Sequence, residues 1–292
     1  MSDERAASRE LWEHALPTDD DVAFYEAHGW WISPPVLGSE LLDQAAAAAD
    51  AFYRDNTRAL PFSDGYSNWT PADGFDVVRN NEFVSLQSST LAQLACQPAL
   101  GAIAARLARV DEIRVLDDQL VYKPPQLDSS KTVVGWHADH AYWGTCSSDR
   151  LLTAWIPFHD IDEERGTMVV LDGSHRWSRT EHTRFFNNPD LDAVEKSLTP
   201  NGHATRVPFR LSRGQVSFHH SWTLHASYSN RSPTPRLAFA VHLQDGNNHY
   251  QPCWTGDGRE VHIFDERLCR RLPNGDPDFA DPAVFPTVWP RR

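Results

Sequence analysis

The chain has 292 residues, 40% of them hydrophobic and 23% charged, an ordinary globular balance. Its 27 basic and 40 acidic residues leave a formal charge of −13, which argues against a surface built to grip nucleic acid or an anionic membrane. No apolar run approaches the roughly 20 residues of a spanning helix, the opening MSDERAASRE lacks the apolar stretch of a secretory leader, and the closing VWPRR is not a peroxisomal address, so the expectation is a cytoplasmic protein.

In chain order, Asp19-Asp20-Asp21 opens a helix that Gly29 closes, Trp30-Trp31-Ile32 reads as a short strand, and Ser39 caps an alanine-rich helix through ELLDQAAAAADAFYRD. Residues 61–81 read as loop, and 90–109 as one further helix. From Ile113 the texture changes. IRVLDDQLVYK, LLTAWIPFHDI, GTMVVLDGS, ATRVPFRL, GQVSFHH and RLAFAVHLQ are short β-prone runs separated by Gly, Pro, Asp and Ser, the pattern of an antiparallel sandwich or jelly roll. A polar stretch over 176–205 interrupts the series and reads as a lid, and the proline-rich tail is expected to run over the surface. The reading is one domain, 1–292, with a helical N-terminal part over about 1–110, a jelly-roll core over about 111–250 and an extended tail over about 251–292.

The four cysteines form no C-x-x-C pair and are expected to be reduced thiols. There is no phosphate loop, H-E-x-x-H, G-x-S-x-G or G-x-G-x-x-G. What stands out is Trp136-His137-Ala138-Asp139, because residues i and i+2 of an extended strand share a face and offer a nitrogen and an oxygen to one ion. A histidine from another strand would complete a set of two histidines and one carboxylate, which leaves coordination positions of a non-haem Fe(II) open. His219, His220 and His225 are all candidates for it. An arginine on the next strand, Arg236, has the planar fork that holds a far carboxylate with two parallel hydrogen bonds, and Ser227 offers a hydroxyl for the same group.

Taken together, WHADHAYW, LLTAWIPFHDIDEERGTMVVLDGSH and FHHSWTLHASYSNRSPTPR resemble the phytanoyl-CoA dioxygenase-like family of Fe(II)- and 2-oxoglutarate-dependent oxygenases. In that family the distal histidine is followed two residues on by Ser and eleven on by Arg, offsets that Ser227 and Arg236 have from His225 and that single it out over His219 and His220. FYEAHGWWISPPVLGSELL also looks like the family's opening helix-strand-helix. The resemblance implies a mainly β, double-stranded β-helix barrel of the cupin type with a helical N-terminal layer. It implies His137, Asp139 and His225 as iron ligands, with Arg236 and Ser227 on the distal carboxylate of 2-oxoglutarate. Trp155, Thr153, Gln119 and Lys123 are further candidates around that co-substrate. The implied reaction consumes dioxygen, converts 2-oxoglutarate to succinate and carbon dioxide, and oxidises an unactivated C–H bond. Halogenating relatives replace the carboxylate with a small residue, so Asp139 favours hydroxylation or another oxidation.

The substrate is expected to be a small metabolite, neutral or moderately apolar, since the acidic balance disfavours a coenzyme A ester. Tyr66, Trp69, Phe75, Tyr122, Tyr142, Trp143, Trp222 and His140 are candidates to wall its pocket, and His175 reads as structural. The competing readings are a metal-dependent oxygenase or hydrolase that does not use 2-oxoglutarate, and a non-catalytic jelly-roll binding module.

Overall fold

A computed structural model of the chain describes residues 12–55, 60, 68–125, 130–177, 184–199 and 204–290. The helices are α1 (Asp19–His28), α2 (Ser39–Asp55), α3 (Ser89–Ala95), α4 (Pro98–Ala108), α5 (Leu191–Leu198) and α6 (Asp265–Leu268). The strands are β1 (Trp30–Ile32), β2 (Arg79–Glu82), β3 (Ile113–Lys123), β4 (Val134–His137), β5 (Leu152–Pro157), β6 (Met168–Leu171), β7 (Arg206–Pro208), β8 (Ser217–His220), β9 (His225–Ser227), β10 (Arg236–Asp245), β11 (Cys253–Trp254), β12 (Glu260–Val261) and β13 (Thr287–Trp289).

Thr18 caps α1, accepting from the Asp21 amide at 3.2 Å while Asp21 Oδ2 accepts from the Thr18 amide at 2.8 Å. The helix stops at Gly29, whose φ of 79° suits glycine and whose missing Cβ would lie 2.3 Å from His175 Nδ1. The helix expected over 90–109 is two, α3 and α4. Pro98 has no amide to donate and pushes Gln97 out of helical conformation (ψ 129°), so the chain breaks and restarts with proline at the first turn.

Two antiparallel sheets follow. The larger has seven strands in the order β1-β8-β5-β10-β3-β13, with β2 also on β3, and the smaller runs β4-β9-β6-β7. Every residue of β5 and of β10 is buried, and the period-2 alternation divides their side chains between two layers. Leu237, Phe239, Val241 and Leu243 of β10 join Leu42, Leu91, Leu100 and Ile103 of the helices in the main core, where each contributes roughly 1.5–3 kcal/mol. Ala238 and Ala240 face the other way and pack with Trp155 of β5 and Met168 and Val170 of β6 in the facing sheet. The space between the sheets is therefore lined by small apolar residues in the middle and polar ones at both ends of β10, Arg236 and His242. The architecture is mainly β with antiparallel sheets and an N-terminal helical layer.

Three segments depart from expectation. Within 61–81, Arg79–Glu82 forms β2, whose partner strand β3 lies far off in sequence. The described part of 176–205 carries α5, capped by Asp190 and burying Leu191 and Val194 against Trp136. The tail does not simply run over the surface: Phe279 and Phe285 are buried, and β13 pairs with the start of β3.

Gly135 clamps residues 185–188 to β4. Its amide donates to Phe186 O at 2.8 Å, and a Cβ there would lie 2.0 Å from Phe185 O and 2.4 Å from Asn188 O. Gly135→Ala is expected to cost about 1–3 kcal/mol in urea unfolding by displacing residues 185–188; a wild-type midpoint would show that the backbone contact is not close.

Candidate active site

β4 ends at His137, and Asp139 follows in a single 3-10 turn, Asp139–Tyr142. His225 opens β9 directly opposite His137 in the antiparallel pair, with ring centroids 4.1 Å apart. All three side chains are buried, and their ligand atoms lie within 4.8 Å of one another. Asp139 Oδ1 is 3.7 Å from His137 Nε2 and 3.4 Å from His225 Nε2. Ligand bonds of roughly 2 Å to a shared ion span separations up to about 4 Å, so the set fits a metal.

The surroundings orient each ligand atom. His137 Nδ1 donates to Gly135 O at 2.9 Å and His225 Nδ1 to Thr223 O at 3.0 Å. A carbonyl only accepts, so both Nε2 atoms are left with lone pairs toward Asp139. Asp139 Oδ2 accepts from Thr153 Oγ1 at 2.6 Å and from His219 Nε2 at 3.2 Å, while the Thr153 hydroxyl accepts from His242 Nδ1 at 2.8 Å. Burial alone pushes the Asp139 carboxyl up, but His225, His219 and His242 around it hold it well below the usual carboxylate range. Burial pushes His137, His225 and His242 down, His242 to about 4, which keeps the imidazoles neutral and able to ligate or relay hydrogen bonds.

At the other end of β10, Arg236 pairs in register with Lys123 of β3. Both are among the most buried side chains of the molecule. Lys123 Nζ donates to Ser227 Oγ and to Tyr228 O, each at 2.7 Å, and Arg236 Nε donates to Gly166 O at 3.2 Å. Among the described residues Arg236 Nη1 has no hydrogen-bond partner and neither cation has a carboxylate partner, and the guanidinium lies 5.3 Å from the Trp155 ring. Burial pushes Arg236 down to about 9 and, with Arg236 beside it, holds Lys123 well below its ordinary value. Two desolvated cations with an orphaned N–H make a socket for an anion.

A cavity of about 1070 Å³ opens onto His137 and Asp139. Trp69, Tyr142, Trp143 and Gln119 line it. Other candidates lie elsewhere. The hydroxyl of Thr153 is committed to Asp139. Tyr122 turns to the helical side, near Tyr53. His140 is bonded to Ser221 and stacked 4.4 Å from Trp222, away from the cavity lining. Phe75 is 60% exposed beside Trp69. Tyr66 lies outside the described residues. His220 accepts from the Trp222 amide and His175 meets Glu26 O, both remote from the three ligands.

Sequence reasoning missed an acidic wall. Glu82, Asp117 and Asp265 line the cavity. They come from β2, β3 and α6, and no motif joins them. Burial first, then their mutual repulsion, pushes Glu82 to about 8 and holds Asp117 well above the ordinary carboxylate value; burial and Glu266 bring Asp265 to about 7. A carboxyl raised in the folded state keeps a proton that the unfolded chain has released, so its contribution to stability falls as pH climbs from the unfolded value through the folded one. The thermal stability of Asp265→Asn relative to wild type is therefore expected to grow from about pH 5 to about pH 7.5 and level off above. A difference that is flat over that window would show that Asp265 is not buried against like charge.

Residues 25–238 match the family model "Phytanoyl-CoA dioxygenase (PhyH)". The peroxisomal phytanoyl-CoA dioxygenase of Bos taurus is 26% identical over 148 residues, which cover 47% of this chain and 41% of that protein, so the match spans less than half of the relative's length. Among solved structures, the non-heme alpha ketoglutarate dependent carbocyclase SnoK from nogalamycin biosynthesis superposes with a TM-score of 0.69 at 26% identity, covering 93% of this chain and 96% of that one. The epimerase SnoN, solved in complex with Fe3+, alpha ketoglutarate and nogalamycin RO, gives 0.65 at 23% identity, covering 97% and 99%. With that family model matched over residues 25–238, most of this chain, the chain belongs to the phytanoyl-CoA dioxygenase family.

Proposed function

We propose that this protein is an Fe(II)- and 2-oxoglutarate-dependent oxygenase that oxidises an unactivated C–H bond of a small molecule, most simply by hydroxylation. The carrying observation is the paired cations Lys123 and Arg236, buried without a counter-charge among the described residues, between the same two sheets that bring His137, Asp139 and His225 together. A metal-dependent hydrolase has no use for such an anion socket, and a binding module has no use for three oriented ligands beside it.

In this reading His137, Asp139 and His225 hold the iron, and Arg236, Lys123 and the Ser227 hydroxyl hold the far carboxylate of 2-oxoglutarate. Iron and 2-oxoglutarate together supply an oxidant strong enough for a C–H bond, with dioxygen consumed and succinate and carbon dioxide released. The chain supplies position and dryness. Trp155 closes one side of the socket and screens the cations from water, so each charged hydrogen bond is worth more than at the surface. Thr153 and His219 fix Asp139 Oδ2 and leave Oδ1 for the metal. The cavity walled by Trp69, Tyr142 and Trp143 receives the substrate beside His137 and Asp139. Asp139 supports oxygenation over halogenation, since the carboxylate occupies the place a halide would need. The whole chain acts as one catalytic domain on a small molecule, with no nucleic-acid or membrane partner; no helix among the described residues is long and apolar enough to cross a membrane.

An anaerobic titration tests the reading. Fe(II) and 2-oxoglutarate added to the apoprotein are expected to give a weak visible charge-transfer band, absent in Asp139→Ala. Arg236→Ala is expected to raise the 2-oxoglutarate needed for half-saturation roughly 30-fold, the equivalent of about 2 kcal/mol for a charged hydrogen-bonded contact. Iron binding with no band would move the assignment to metal chemistry without 2-oxoglutarate, and no iron binding would leave the non-catalytic module.

A further inference from the structure

Of the histidine and carboxylate groups in the cavity wall, His137, Asp139 and His242 are accounted for by the metal set and its supports, Asp73 by its bonds from Thr70, and His262 by Glu266. Three carboxylates are not. Asp117 and Asp265 are 6% and 4% exposed, Glu82 is half-buried, and no cation pairs with any of them among the described residues. Their neighbours show what a structural acid looks like here. Asp118 accepts from the Ser85 amide at 3.1 Å, and Glu266 accepts from Thr145 Oγ1, the Ile263 amide and His262 Nδ1. By contrast Asp265 Oδ1 has no partner, Glu82 has one long contact from Gln119 Nε2 at 3.4 Å, and Asp117 accepts only from the adjacent Asp118 amide. A further acceptor in the same wall, Asn80 Oδ1 on β2, is buried and also without a donor.

Among the described residues the cavity holds no cation that answers them. Lys131 is paired with Asp76, and Arg184 donates to Ala141 O and lies over the Tyr142 ring at 5.0 Å. His242 is bonded to Thr153 and His262 to Glu266. A second metal ion does not fit either, because the convergent set of three ligand atoms found among the described residues is His137, Asp139 and His225, not the acids. Buried like charges repel and cost stability, and the arrangement is compensated when an external cation enters. Trp69 and Trp143 in the same wall suit an occupant with an organic body.

We propose that the substrate carries a cationic nitrogen, an ammonium or amidinium group, that enters the acidic wall formed by Glu82, Asp117 and Asp265 while the rest of it reaches the metal site. The inference rests on the oxygenase reading of the same cavity. It replaces the neutral or moderately apolar substrate that composition alone suggested. On β3, Asp117 stands six residues from Lys123, about 20 Å of strand. The acids are thus separated from the anion socket, and each end of the chamber selects one charge.

The test uses the holoenzyme, loaded anaerobically with Fe(II) and 2-oxoglutarate, and three probes of one shape: phenethylamine, 2-phenylethanol and 3-phenylpropionate. Binding is followed by tryptophan fluorescence and by saturation-transfer NMR, with the charge-transfer band recorded on each sample. Phenethylamine is expected to bind at least about tenfold more tightly than the alcohol, and the carboxylate most weakly. Asp265→Asn and Glu82→Gln, which preserve shape, are each expected to weaken the amine roughly 3- to 10-fold and to leave the alcohol unchanged. Equal affinity for amine and alcohol, a preference for the carboxylate, or no binding by any of the three overturns the proposal. The band is scored separately: if it forms and the amine is not preferred, only this inference fails, whereas a missing band fails the oxygenase reading itself.

Discussion

Strand β10 is the constraint on which the rest depends. Every one of its residues is buried, yet its two faces meet different worlds. One face, Leu237, Phe239, Val241 and Leu243, supplies the apolar contacts that attach the helical layer. The other, Arg236, Ala238, Ala240 and His242, supplies the chemistry and the room for it. A strand can do both because its period is 2, and a one-residue slip would put Arg236 among leucines and Phe239 into the chamber. Register is therefore held by both faces at once. The long ladders to β3 and β5 carry it to Lys123 and to Thr153, which sit opposite Arg236 and His242.

The chamber is expensive. Two cations without counter-ions among the described residues lie at one end, three carboxyls line the cavity, and Asp139 stands among four histidines, one of which, His242, pairs in register with Asp117. Desolvation opposes every one of these charged forms. The large apolar core on the opposite face of the same sheet offsets the cost, so stability and function are divided by sheet face rather than by sequence segment. Asp139 shows the division at atomic scale. Oδ2 is saturated by fixed donors that cannot leave, and Oδ1 is kept for a ligand that can.

How much of this was legible in the sequence follows from how local each signal is. His137 and Asp139 are two residues apart at one strand end, and Ser227 and Arg236 stand at fixed offsets from His225, so the residues of the proposed ligand set and anion socket could be picked out along the chain. The six β-prone runs were legible because alternation and turn residues are local. Pro98 was a visible break that the apolar pattern across it concealed. β2 and β13 were not legible, since both are short and exist only because β3 offers an edge. Tyr122, Trp222 and His140 carried the right chemistry, and only the direction of the side chain, set by strand parity and by a 3-10 turn, removed them from the cavity. Glu82, Asp117 and Asp265 were invisible for the opposite reason. Acids are expected at surfaces, and nothing in three separate segments says that folding will press them into one wall. In hindsight Asp117-Asp118 inside the apolar run IRVLDDQLVYK was the signal, because adjacent residues of a strand point to opposite faces and one of them had to face inward.

That parity also explains why the chamber is polarised rather than simply polar. On β3 the inward residues run from Asp117 through Gln119 to Lys123, so a single strand passes from acid through amide to cation. Glu82 meets Gln119 across the β2 pairing and adds a carboxyl beside the amide, while Arg236 meets Lys123 across the β10 pairing and doubles the positive charge at that level. A molecule with a carboxylate is drawn toward the Lys123 end and repelled from the Asp117 end, and an ammonium the reverse. Because the gradient is written into the register of three paired strands, reversing it requires several simultaneous substitutions, and a single one can weaken an end without moving the proposed metal ligands, which come from β4, its following turn and β9.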